Sequence, residues 1–296
     1  MANDLSNTLQ TSVQVFYSTL GDHISNFRRW SRPINESAPI VQRADLYGVG
    51  DFAAQSAVDP TADDLDSNAN TVTRAVYEKL VTVNEVDLKD RPALATEITA
   101  MLAERAAYKV NKTMYAALAA VDTTAHPAAA DYTATGGGSV YFADSFATPV
   151  DQDNLFTAAL SASSLETVIA AAHNYKTKDS LEADVARELV LVAPPALRSV
   201  AMDLSSSTEA IYDGSGLQYR FGDVVRDVVI SPMLSDANDW FLVSRVLSPI
   251  KHWIRDEPNI RVTLDPKAGR VHFYASVTCN AVLEPWEGGL FMSKVA

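Results

Sequence analysis

The chain has 296 residues, 47% hydrophobic and 21% charged, and a net charge of −13. That apolar content excludes disorder over most of the length, and a fold of this size can bury about three quarters of its unfolded surface. The acidic excess argues against holding nucleic acid by neutralising phosphates, the single cysteine, Cys279, excludes an intrachain disulfide, and no run approaches the ~20 apolar residues that span a bilayer.

Leu5, Leu9, Val13, Phe16, Leu20, Ile24 and Phe27 recur at steps of three and four. This spacing predicts one amphipathic helix over 5–27, weakened at Gly21. A basic aromatic knot, Arg28-Arg29-Trp30-Ser31-Arg32-Pro33, ends it. An arm with one apolar face needs a surface to cover it, on its own body or on a neighbouring subunit. Leu5, Leu9, Val13, Phe16, Arg28, Arg29 and Trp30 are therefore candidate intersubunit contacts.

Residues 38 to 88 read as a long two-stranded excursion. Strand-like stretches from Ile40 to Ser56 and from Asn70 to Asp87 flank an acidic tip, and Val72, Val76, Val81, Val83 and Val86 mark the return limb. A hairpin this long is marginal in water and should lie on something. Its tip supplies four more contact candidates, Asp59, Asp63, Asp64 and Asp66. Asp64, Asp66 and Asn68 match the first ligands of a calcium loop, but Ala69 replaces the required glycine and Ala75 the bidentate glutamate. The tip reads as solvated, with no metal.

A long helix follows, with Asp90 as N-cap, Pro92 in the first turn and an end near Ala120. Thirty residues make a rod of ~45 Å. Leu94, Ile98, Met101, Tyr108, Tyr115 and Leu118 form its expected packing stripe. Residues 122–155 are rich in loop formers, and Gly136-Gly137-Gly138 lacks the Gly-Lys-Ser/Thr of a phosphate loop. Ser163-Ser164-Leu165-Glu166 then fits a capping box. After it come a buried strand over 188–193, a short helix over 196–204, and strands at 223–230 and 240–244. A hairpin closes the pattern, 260–264 and 270–283, around a turn at 265–269. The class is α+β.

Chemistry is nearly absent. The five histidines are scattered, none pairs with another at helical spacing, and no Gly-x-Ser-x-Gly elbow occurs. No catalytic, cofactor-binding or metal-binding residue is predicted, and Cys279 reads as a small buried side chain. An enzyme with a dispersed active site has no motif behind it. The protruding parts instead suit a subunit that interlocks with its own copies.

Three stretches carry a resemblance to a family. Tyr77-Glu78-Lys79-Leu80-Val81-Thr82-Val83 resembles the return strand of an extended loop. Leu189-Val190-Leu191-Val192-Ala193-Pro194-Pro195-Ala196-Leu197 resembles the strand-into-helix element of an axial domain. Trp240-Phe241-Leu242-Val243, Pro249-Ile250-Lys251, Ile254-Arg255 and the hairpin with Asp265 resemble a passage back to a peripheral domain, and Trp286-Glu287-Gly288-Gly289 adds to them. With the order of elements, this resembles the major capsid proteins of tailed bacteriophages, the Hong Kong 97-type fold, nearest to the Mu-type head subunits.

The resemblance implies an N-terminal arm (1–38), an extended loop (39–88), a spine helix with part of a peripheral domain (89–130), an axial domain (131–245) and a peripheral return hairpin with the C-terminus (246–296). It implies a structural protein of the virion, not an enzyme and without cofactor. Hexamers and pentamers of it would form an icosahedral shell around double-stranded DNA, assembled in the host bacterial cytoplasm. Expected partners are its own copies, a separate scaffold (the arm begins almost at Met1), a portal and cement proteins, with DNA touched only non-specifically and no membrane. An encapsulin-like compartment shell is the alternative.

Overall fold

The computed structural model describes residues 2–23, 26–33, 40–47, 66–73, 75–119, 154–175, 185–206, 211–212, 218–219, 221–234, 236–245, 247, 250–283 and 290–293. Asp59, Asp63 and Asp64 of the acidic tip, the Gly136 triplet and Trp286 to Gly289 lie outside them.

The arm helix, α1 (Ala2–His23), stops four residues short of Phe27, which sits instead in a 3-10 turn, Asn26–Arg29. The Phe27 carbonyl accepts from Trp30 N (3.2 Å), Ser31 N (3.0 Å) and Ser31 Oγ (2.8 Å), so the chain turns there. A two-residue strand follows, β1 (Arg32–Pro33).

The excursion's return limb is two strands with two partners. β2 (Ile40–Tyr47) pairs with β3 (Asp66–Thr73), whereas β4 (Ala75–Asn84) leaves that ribbon for another sheet. Val86, expected in the strand, lies in a short helix, α2 (Glu85–Asp90). Acidic Glu85 and Asp87 in its first turn and a Glu85–Lys89 pair at 2.7 Å favour helix at that point.

The spine, α3 (Ala93–Ala119), is about 40 Å long. Asp90 closes α2 rather than capping α3. Pro92 disfavours helical dihedrals at Arg91, whose φ of −134° breaks the chain between the two helices. The packing face is also rotated from the expected stripe. Ile98, Tyr115 and Leu118 are buried, but Met101 is 56% and Tyr108 44% exposed. Ala95, Thr99, Leu102, Ala103, Ala106, Ala107, Val110 and Met114 face inward instead. Alanines let the helix axis approach the sheet more closely than large side chains would.

Beyond the spine come β5 (Leu155–Phe156), α4 (Ala162–His173), β6 (Leu189–Ala193), α5 (Arg198–Ser206), β7 (Ile211–Tyr212), β8 (Gln218–Tyr219), β9 (Val225–Ile230), β10 (Trp240–Ser244), β11 (Ile250–Asp265), β12 (Arg270–Leu283) and β13 (Leu290–Ser293). α4 begins one residue before the predicted cap. Its capping box is Ser161 with Ser164, each side chain bonded to the other's backbone N–H.

Two sheets organise the chain. The four-stranded sheet runs β1-β11-β12-β4, and the five-stranded one β5-β13-β10-β6-β9. The β11–β12 turn is held by Asp265 Oδ1, which accepts from Lys267 N and Ala268 N, and Gly269 supplies the left-handed φ of 59°. On β12, Val271, Phe273, Ala275, Val277 and Cys279 point to α3, as their alternation predicts.

The five-stranded sheet is buried on both faces. Val190, Val192, Phe241 and Val243 join the core with α3, while Leu189, Leu191, Ala193, Trp240 and Leu242 join a second core with α4 and α5. Continuous apolar runs in β6 and β10 are what such burial requires. Residues 290–293 form β13 and pair with β10 in the five-stranded sheet, not with the β11–β12 hairpin. Phe291 is fully buried there, edge-on to Tyr175 at 5.7 Å, which favours that side over the hairpin.

Candidate assembly surfaces

The arm candidates separate by burial. Phe16 and Trp30 are fully buried within the chain, and Leu9 and Val13 pack half-buried against the same core. Leu5 lies on α1, with its side chain outside the description. Arg28 is exposed, and Arg29 forms a two-bonded ion pair with Asp227 of β9. Asp66 pairs with Tyr47 in the β2–β3 ribbon. Among the described residues, that ribbon joins neither large sheet.

Among the described residues, the surface left uncovered lies at β4, the edge strand of the four-stranded sheet. α3 rests on β11 and β12, so the inner side of β4 is only partly roofed. The result is a groove of about 650 Å³ between strand and helix. Tyr77, Val81, Ile98, Leu102 and Val277 form its apolar lining, and Lys79, Arg105 and Lys109 stand around it with Glu78. The Lys109 ammonium sits 4.0 Å from the centre of the Tyr77 ring. Met101 and Val76 (56% and 48% exposed) border the groove, whereas Leu80 (55% exposed), opposite Tyr274 of β12, adds apolar surface on the other face of β4. An edge strand with open backbone groups beside an apolar groove is a place for another chain. The sequence reading missed this groove. Arg105 and Lys109, four apart on one helical face, were the signal for its basic side.

Cys279 and His252 are packed away. Burial pushes the Cys279 thiol up to about 11. His252 is lowered to about 4 by burial and then by the charge of Arg28. Its Nδ1 lies 2.8 Å from Ser31 Oγ. That hydroxyl spends its proton on the Phe27 carbonyl and so accepts from Nδ1–H. Each of the pair is 5% exposed, and the Phe27 ring stands edge-on to the imidazole at 5.0 Å, so the contact ties strands together rather than meeting a substrate. No group of three or more metal-ligating side chains occurs among the described residues, and none of their helices is long and apolar enough to cross a membrane.

Solved capsids share this architecture. The mature capsid subunit of bacteriophage PhiM1 aligns with a TM-score of 0.58 at 13% identity, over 92% of this chain and 87% of that one. The capsid of Myoviridae phage XM1 gives 0.56 at 12%, over 92% of each chain. The virus-like particle from Pyrococcus furiosus gives 0.52 at 10%, over 97% and 98%. These likenesses show the fold, the Hong Kong 97-type capsid fold, without singling out the Mu-type branch. No curated protein matches the sequence. A family model described as phage capsid protein matches residues 69–287, from the β3 strand past the closing hairpin. The chain belongs to the phage capsid protein family.

Proposed function

We propose that this chain is the major capsid protein of a tailed bacteriophage, and that its copies form the hexamers and pentamers of an icosahedral shell around double-stranded DNA. The family match over 69–287 is the observation that carries this reading, and it favours a virus head over an encapsulin-like compartment. In this reading the role is structural, with no catalysis and no cofactor. The spine and four-stranded sheet serve as the peripheral domain and the five-stranded sheet as the axial domain. Assembly takes place in the host cytoplasm, with scaffold, portal and cement proteins as further partners.

Contacts between copies fall on the uncovered parts. The acidic segment that holds Asp59, Asp63, Asp64 and Asp66 on one copy suits the Lys79, Arg105 and Lys109 side of the β4 groove on the next. At −13 per chain, net charge opposes assembly, so apolar, shape-matched contacts drive it and local ion pairs set register.

Negative-stain microscopy of the recombinant protein tests the reading. Shells, tubes or sheets are expected, and a protein that stays monomeric at assembly concentrations overturns it. Particles from expressing cells that enclose a protein cargo instead of DNA would move the assignment to a compartment shell. The unassembled subunit should bind double-stranded DNA no more tightly than about 10⁻⁴ M at physiological salt.

A further inference from the structure

We propose that residues 27–33 are a two-sided clasp that sets the angle between the two sheets, fixed on one side and releasable on the other. The fixed side grips the four-stranded sheet and the spine. Phe27 and Trp30 are fully buried, Trp30 stands edge-on to Tyr115 of α3 at 5.5 Å, and Ser31 shares its buried hydrogen bond with His252 of β11. β1 then adds itself in parallel to β11, Arg32 opposite Lys251. The releasable side reaches the five-stranded sheet, where the Arg29 guanidinium forks onto both carboxylate oxygens of Asp227 on β9. These two side chains keep 45% and 31% of their surface in solvent. Ions can therefore reach and screen this half and not the other.

A backbone irregularity places Asp227 for this contact. In the β6–β9 pairing, Leu189 faces Val225 but Val190 faces Asp227, so Arg226 is an extra residue. Before that bulge Val225 belongs to the core with α4 and α5. After it the phase is reversed, with Val228 and Ile230 on that side and Val229 on the spine side. Without the extra residue Asp227 would share the face of Val225, away from the arm. With it, Asp227 falls on the face that meets Arg29.

The test uses the full-length, unassembled subunit with spin labels on D203C in α5 and K267C in the β11–β12 turn, both exposed, and Cys279 left buried and unlabelled. Electron–electron distance measurements on the otherwise unchanged chain should give one narrow distribution. Arg29→Asp and Asp227→Arg should each broaden it at least twofold, the double reversal should narrow it again, and 1 M salt should broaden the parent without mutation. Circular dichroism and the milder Arg29→Gln and Asp227→Asn variants separate release from misfolding. Single reversals and neutral variants as narrow as the parent, or a double reversal as broad as the singles, overturn the proposal. The result is independent of whether the chain builds a shell.

Discussion

The two sheets solve burial differently. The five-stranded sheet hides both faces, so Leu189, Leu191, Trp240 and Leu242 meet one core and Val190, Val192, Phe241 and Val243 another. The four-stranded sheet covers one face with α3 and leaves β4 as an edge with exposed Val76 and Leu80. Among the described residues, the first unit covers both faces of its strands, whereas the second leaves apolar surface uncovered at β4. A closed core and an open apolar edge are thus divided between them.

The largest expected effect lies in the closed sheet. Leu191→Ala should cost about 2–5 kcal/mol in urea unfolding, because neighbours on a doubly covered strand cannot collapse into the space. A loss below 1 kcal/mol would mean that this sheet is less tightly packed than its burial implies. Next is His252, on the arm's anchor to the four-stranded sheet. Its folded-state pKa of about 4 lies below the ordinary 6.5, so between those values the unfolded chain binds the extra proton. Stability should fall as pH drops from 6.5 towards 4, by about 3 kcal/mol at most, and His252→Gln should flatten that slope. An equal slope in the variant would assign it to other groups.

Two smaller effects sharpen the contrast. Glu188, just before β6, holds a left-handed φ of 48°. Glu188→Gly should stabilise the subunit by about 0.5 kcal/mol in thermal unfolding, strain relief outweighing glycine's entropy, and a destabilised variant would show that the side chain matters more. At the open edge, Leu80→Ser should shift subunit stability by less than about 0.5 kcal/mol while shell yield drops. Unchanged yield would remove Leu80 from the interface.

What was legible follows the same division. β6 and β10 stand out as unbroken apolar runs because both their faces are covered, and β12 because one is. The spine was legible in length but not in phase. Its inward face is built of alanines at 95, 103, 106 and 107, whose weak hydrophobicity is overshadowed by Met101 and Tyr108. β13 is four residues long, too short for periodicity to assign it to a sheet. The groove depends on where α3 comes to rest across β11 and β12, and the clasp on one extra residue in β9. Neither is a property of a local window.

The placement of β13 bears on how a subunit is made. β5 pairs with β13 alone among the described strands, and β13 also completes the side of β10. Leu155 leaves the ribosome well before Leu290, by roughly ten seconds at ordinary elongation rates. Throughout that interval the five-stranded sheet lacks β13 and β5 stays unpaired, and the β4 groove lacks its β12 wall until residues 270–283 have been added. The groove and the five-stranded sheet therefore mature together, late in translation. A nascent chain cannot recruit finished neighbours before it has nearly become one.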